Sequence, residues 1–406
     1  MQFLFALLVL IAPLYVWRFS IGGLPTNFLM IANFAVIGLG LLYILRDVKI
    51  KGYEQVKKLV FAKFSEIGRP MQISIGIFAI ASIVSLFVFG INGEKLAQWV
   101  VLYAQPLAIF ALVRYFVLSN EQDSEKAIRY ITWAMYFILG AAGFLAIFQY
   151  VTLLTLPMQW WGNANEPKRA IAFFAHANAY ALFATPLLAL LLPDFVEKVR
   201  GKLTNSGFFC AAGWLLGVVG VFLSLSRGAW LGLLVAGAVY VVLSANKKLL
   251  VTFGVIVILL AGVVAVVPNL RYRVLLPFMG EKSSIARISL WKTAGSEIKD
   301  SPLLGKGVNG FSDNWYVYNT DAGLEHYNFP HNIFLNFWVD LGLFGMLSMV
   351  SILILSTWRG YIGRKNVFKF GLLLFILALI SHGLIDIPYL KNDLALIFWL
   401  ILGLSL

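Results

Sequence analysis

The chain has 406 residues, is 60% hydrophobic and only 13% charged, and carries a formal net charge of +13. Apolar stretches of about 20 residues recur along it, which excludes a soluble multidomain protein and points to an all-α polytopic membrane protein. A single cysteine, Cys210, excludes an intrachain disulfide; the four histidines form no H-E-x-x-H metal pattern, and the basic residues are spread among connections rather than gathered on a soluble face, so no nucleic-acid partner is implied.

Hydropathy predicts about twelve spans, near residues 2–17, 24–45, 71–91, 96–118, 128–153, 172–193, 207–224, 228–244, 249–267, 333–357, 369–386 and 393–406. The first lacks the basic n-region and small-residue cleavage site of a signal peptide and reads as a span. Basic residues recur from Arg46 to Arg69 and at Lys126/Arg129, Lys198/Arg200/Lys202, Lys247/Lys248 and Arg359/Arg364/Lys365, all on one side of such a bundle. By the positive-inside rule that side is cytoplasmic. The expected protein is thus multi-pass in the cytoplasmic (inner) membrane, with both termini in the cytoplasm. The Arg46 to Arg69 connection spaces Val56, Leu59, Val60 and Phe64 as a basic amphipathic helix on the inner membrane surface would, although a solvated loop has the same composition. Trp160 and Trp161 fall where an interfacial aromatic belt is expected.

Three parts follow: residues 1–267 as a bundle of about nine spans, 268–332 as an extracytoplasmic loop domain with short helices, and 333–406 as about three further spans. The middle part is too long for a simple connection, and loops of that length are usually functional or disordered. It carries an amphipathic pattern at Ile285, Ile288, Trp291, Ala294 and Ile298, and that helix would rest this side on the membrane or the bundle with Arg287 and Lys292 flanking it.

Several polar residues share the outer side. Arg169, His176 and Asn178 open the sixth span, and Arg227 occupies the short turn before the eighth. An arginine at a helix end is often a snorkelling anchor, but the outer side works against that reading. His331 and Asn332 precede the tenth span, where a histidine can exchange a proton and an asparagine can equally cap the helix; His326 has a similar claim to the first role. His382 and Asp386, four apart, should share one side of a helix near its outer end. Three arginines, several histidines and one carboxylate suit an anionic phosphate ligand better than a metal, because guanidinium forks match phosphate oxygens.

These residues fall in stretches that, taken in order, resemble the O-antigen ligase and O-antigen polymerase superfamily of polyprenyl-diphosphate-dependent membrane glycosyltransferases. The stretches are Arg169 to Asn178, Leu225-Ser-Arg-Gly-Ala-Trp-Leu231, Arg287 with Trp291, Pro302-Leu-Leu-Gly-Lys-Gly307, His331-Asn332 with Leu335 and Gly342, and His382 with Asp386. The resemblance implies a lipid-carrier glycosyltransferase (GT-C-like) bundle, catalysis facing the periplasm or outside, and no cofactor or metal. It further implies that Arg227 and Arg287 hold the diphosphate and that His331 activates or orients the acceptor hydroxyl. Arg169, His176, Asn178, Asn332, His382 and Asp386 are expected to bind substrate.

The implied partners are an undecaprenyl-diphosphate-linked glycan donor, a glycan or lipid A-core acceptor, and membrane lipids. A ligase is the first expectation, a polysaccharide polymerase of the same superfamily the second. A twelve-span secondary transporter is the rival of another class, and it would favour ionisable groups at mid-span.

Overall fold

A computed structural model describes residues 1–88, 90–117, 121–162, 167–201, 204–275, 282–321 and 323–406. Residues 276–281 and 322 of the expected loop domain lie outside that set. In chain order, α1 (Gln2–Ile11) continues through a 3-10 turn, Ala12–Val16, into an antiparallel hairpin, β1 (Arg18–Ile21) and β2 (Leu24–Asn27), with Arg18 opposite Asn27. Next come α2 (Phe28–Lys51), α3 (Tyr53–Ser65), α4 (Arg69–Phe87) and α5 (Gly93–Trp99); α5 runs on through a π-helical turn into α6 (Gln105–Val117). The bundle continues with α7 (Glu121–Thr152), α8 (Ala177–Arg200), α9 (Asn205–Leu223), α10 (Arg227–Ser244) and α11 (Lys247–Val266). Four helices follow before the next span: α12 (Pro268–Leu275), α13 (Lys282–Asp300), α14 (Gly310–Asp313) and α15 (Trp315–Tyr318). The chain closes with α16 (Ile333–Ile362), α17 (Val367–Gly383) and α18 (Asn392–Ser405).

The protein is an all-α polytopic membrane protein. Among the described residues nine helical segments are long and apolar enough to cross a membrane, and three shorter apolar helices, Gln2–Val16, α17 and α18, accompany them. Together they occupy the positions of the expected spans. The hairpin is a difference, because Gly22 and Gly23 at positive φ reverse the chain where the second span was expected to begin. Its last residue, Asn27, caps α2 by accepting from the Met30 amide at 2.9 Å. The basic connection is helical, with Val56 buried on α3 and Phe61 exposed, so its amphipathic reading holds.

Small residues set the closest helix approaches, as expected where lipid offers no hydrophobic drive between spans. At the crossing of α7 and α9, a Cβ on Gly143 would lie 2.1 Å from the Leu216 carbonyl oxygen. The deepest part of the bundle is aromatic: Phe78, Phe110, Phe337 and Tyr389 surround Phe398 and Trp399 of α18, whose indole donates to the Tyr389 hydroxyl at 2.9 Å.

Two departures from the expected helices shape the outer face. Helix α16 breaks at Gly342, which has φ +71°, and the loop at Leu303 presses so close that a Cβ there would meet its carbonyl oxygen at 2.0 Å. The Leu343 amide, released by the break, donates to Pro302 at 3.1 Å, which docks the Pro302 to Gly307 turn onto the span. Of the expected stripe, helix α13 buries Ala294 and packs Ile298 against the same core, but it leaves Ile285 and Ile288 exposed and buries Ala286, Leu290, Thr293 and Glu297 beside them. The reason is local: Leu290 and Ala294 pack on Phe311, Trp315 and Val339, a small core supplied by the loop domain itself and the top of α16.

Candidate functional site

At the ends of the spans away from the basic connections lies a cavity of about 700 Å³. Among the described residues four arginines line it, Arg169, Arg227, Arg273 and Arg287, together with one carboxylate, Asp386. Asn178, His382, Trp160, Trp291, Ser226 and Gly228 complete the walls that matter for chemistry. Four guanidinium groups against one carboxylate leave a concentrated positive charge in a partly dehydrated space, which an anion would neutralise.

Each arginine is held by backbone. Arg227 opens α10, two residues after Leu225 at φ +52°, and its Nη1 donates to the Arg273 carbonyl at 3.2 Å, while Arg273 Nε donates back to the Leu225 carbonyl at 3.4 Å. This reciprocal tie fastens α12 to the start of α10. A helix N-terminus adds its own free amides and dipole to the arginine charge there. Arg287, on α13, donates from Nε to the Ile385 carbonyl at 2.9 Å, so the loop domain is pinned next to Asp386.

Arg169 lies in the connection before α8. Its Nε donates to the Ser224 carbonyl at 2.8 Å, its Nη2 donates to Asn178 Oδ1 at 2.8 Å, and its guanidinium sits over the Trp160 ring at 5.6 Å. Trp160 therefore lines the cavity instead of serving only as an interfacial anchor, whereas the Trp161 indole donates to Leu156. Asn178 Nδ2 extends the chain of contacts to Asp386 Oδ2 at 3.3 Å.

Asp386 is the hub. Its Oδ1 accepts from His331 Nδ1 at 3.0 Å and from the Ile387 amide at 3.0 Å. Burial pushes its carboxyl up, but the hydrogen bond from His331 and the charges of His331, His382 and Arg287 outweigh it and hold the pKa at about 2. An ionised carboxylate can only accept, so the His331 ring carries a proton on Nδ1.

His331 does not itself border the cavity but reaches its wall through Asp386. His382 is buried against Gly228, where an added Cβ would lie 2.4 Å from the imidazole. It ends α17 at the last turn, and Asp386 lies beyond that helix instead of on it, because the chain leaves the helix after Gly383 where it packs on Ile333. His176 N-caps α8 without a capping side-chain bond and packs edge-on against Trp160, outside the cavity lining.

Asn332 also stays out of the cavity. Its Oδ1 accepts from the Phe334 and Leu335 amides at 3.0 and 3.1 Å, and its Nδ2 donates to the Leu384 carbonyl at 3.0 Å. Both ends of the side chain are thus engaged, as the capping reading expects. His326, the rival histidine, contacts Ser312 and the rings of Trp315 and Tyr316 within the loop domain. Arg273 escaped the sequence reading. Its signal was its position, in Arg271-Tyr-Arg273 just beyond a span on the side where arginines are disfavoured.

Residues 212–350 match the family model described as O-antigen ligase, a stretch that contains Arg227, Arg287 and His331. The match supports membership of the O-antigen ligase and polymerase superfamily, whose members are glycosyltransferase-like membrane enzymes. An uncharacterized protein of Haemophilus influenzae is 28% identical over 198 residues, which are 44% of this chain and 48% of that protein. The chain therefore spans about half the length of this curated relative.

Proposed function

From this place in the O-antigen ligase and polymerase superfamily, we propose that the chain transfers a glycan from a polyprenyl diphosphate, undecaprenyl diphosphate in bacteria, to an acceptor hydroxyl in the manner of an O-antigen ligase. The observation that carries the proposal is the four-arginine cavity with Asp386, the hydrogen-bond partner of His331, on its wall. Below it, α8, α9, α10 and α11 enclose an apolar cleft of about 660 Å³ whose upper side chains include Phe222 and Trp230, one turn past Arg227. A ligand with an anionic head and a long hydrocarbon tail fits that succession.

In the proposed reaction the acceptor oxygen forms a bond to the anomeric carbon while the bond from that carbon to the diphosphate oxygen breaks. The leaving electron pair goes to the diphosphate, where Arg227 and Arg287, with Arg169 and Arg273 beside them, offset the growing charge. The acceptor proton goes to Nε2 of His331, and Asp386 steadies the resulting imidazolium. Diphosphate is already a good leaving group, and guanidinium charge takes the part a divalent ion would otherwise play, so we read the reaction as metal-independent. Catalysis would face the periplasm.

Ligase and polymerase chemistry share this donor and differ in the acceptor. The test is transfer by the purified chain from an undecaprenyl-diphosphate-linked glycan, offered a lipid A core or a growing glycan, with and without a chelator. The expected result is transfer to the lipid A core that persists after chelation. Transfer only to the growing glycan would make it a polymerase, loss on chelation with rescue by a divalent ion would overturn metal independence, and no transfer to any acceptor would overturn the proposal.

A further inference from the structure

A second lipid-shaped site lies beside α10. Helices α10 and α16 both pack on α17 and leave between them a groove of about 740 Å³ that faces outward at membrane depth. Its floor is Leu373, Leu377 and Ile380 of α17, with Val242 and Leu243 on one wall and Trp358 on the other. At the end away from the candidate active site the groove meets a polar cavity of about 680 Å³, and Leu243 borders both. That cavity is lined by Arg200 at the end of α8 and by Arg364 and Lys365 in the turn after α16, against a single carboxylate, Glu197.

We propose that the groove and this basic cavity bind one anionic phospholipid of the leaflet on that side, its acyl chains between α10 and α16 and its phosphate among Arg200, Arg364 and Lys365. The charge balance, three cations to one carboxylate, selects an anionic over a zwitterionic headgroup. Arg364 is already ordered for the purpose: its guanidinium lies 4.3 Å from the Tyr361 ring centroid and donates to the Tyr361 carbonyl at 2.9 Å. The apolar lining at membrane depth, continuous with a basic end at the interface, has the proportions of a lipid and not of a soluble phosphate. By the positive-inside rule this leaflet is the cytoplasmic one, where anionic lipids carry the negative surface potential. The inference uses none of the residues that line the four-arginine cavity, although Arg200 also borders the far end of the apolar cleft below it.

The experiment is native mass spectrometry of the purified chain with phosphatidylglycerol or phosphatidylcholine of matched acyl chains. The wild type should retain phosphatidylglycerol preferentially, and Arg200→Ala with Lys365→Ala should weaken that retention by about fivefold for each cation removed. The charge-keeping pair Arg200→Lys and Lys365→Arg should restore it. Val242→Trp, at an exposed groove position, should obstruct the acyl chains and lower retention of both lipids. Equal retention of the two lipids by the wild type, or undiminished phosphatidylglycerol retention by the double alanine variant, would overturn the inference.

Discussion

His331 donates from Nδ1 to Asp386 Oδ1 at 3.0 Å from a backbone held at φ +50°, a conformation that costs a non-glycine residue energy. Pro330 precedes it and Asn332, capping α16, follows, so rigid neighbours on both sides maintain the strain. The pair has the geometry of a base held in one tautomer by a carboxylate.

The first prediction follows from that bond. Asp386→Asn keeps the shape but offers an amide that can donate to Nδ1 and so place the ring proton on Nε2. Turnover should fall by about 10²-fold or more, with donor affinity changed far less. Steady-state kinetics with a separate donor-binding measurement checks this, and an unchanged kcat would show that Asp386 only braces the loop.

A second prediction concerns acid. The folded pKa of Asp386, about 2, is depressed below the usual carboxylate value, so its stabilisation is present above about pH 4 and is lost as pH falls through the folded value. A shift of that size corresponds to about 2 kcal/mol. In detergent melts the stability gap between wild type and Asp386→Asn should therefore narrow as pH falls from about 4 toward about 2. A gap that widened with acid would have the wrong sign for a salt-bridged carboxylate.

Gly228 offers a third. Alanine there would press on the buried His382 ring from the first turn of α10, next to Arg227. Overpacking of this kind costs about 1–3 kcal/mol, and moving the helix start should also lower donor affinity. Thermal melts and donor binding on the same sample test it. A variant equal to wild type in both would mean the contact is slack.

Much of this architecture was legible because membrane burial writes long apolar runs into sequence, and because basic residues mark one side of them. Arg169, Asn178, Arg227, Arg287, His382 and Asp386 could be picked out as polar residues at outer span ends, and all six border one cavity. The failures had a common cause. Periodicity cannot tell which face of α13 will meet a core built by distant Phe311 and Trp315, nor that α17 stops at Gly383 and leaves Asp386 in a loop. Trp160 was misjudged for a related reason: an interfacial tryptophan and a cavity-wall tryptophan have the same local sequence, and only the cation at Arg169 separates them.

The most direct test of the central claim is turnover per folded molecule, with donor affinity, for Arg227→Ala and Arg287→Ala and for their lysine counterparts. If these arginines clamp the diphosphate, each alanine variant should lose about 10²–10³-fold in kcat/KM, and lysine should recover only part because it keeps the charge but not the bidentate fork. Well-folded alanine variants that bind donor and turn over at the wild-type rate would contradict the clamp.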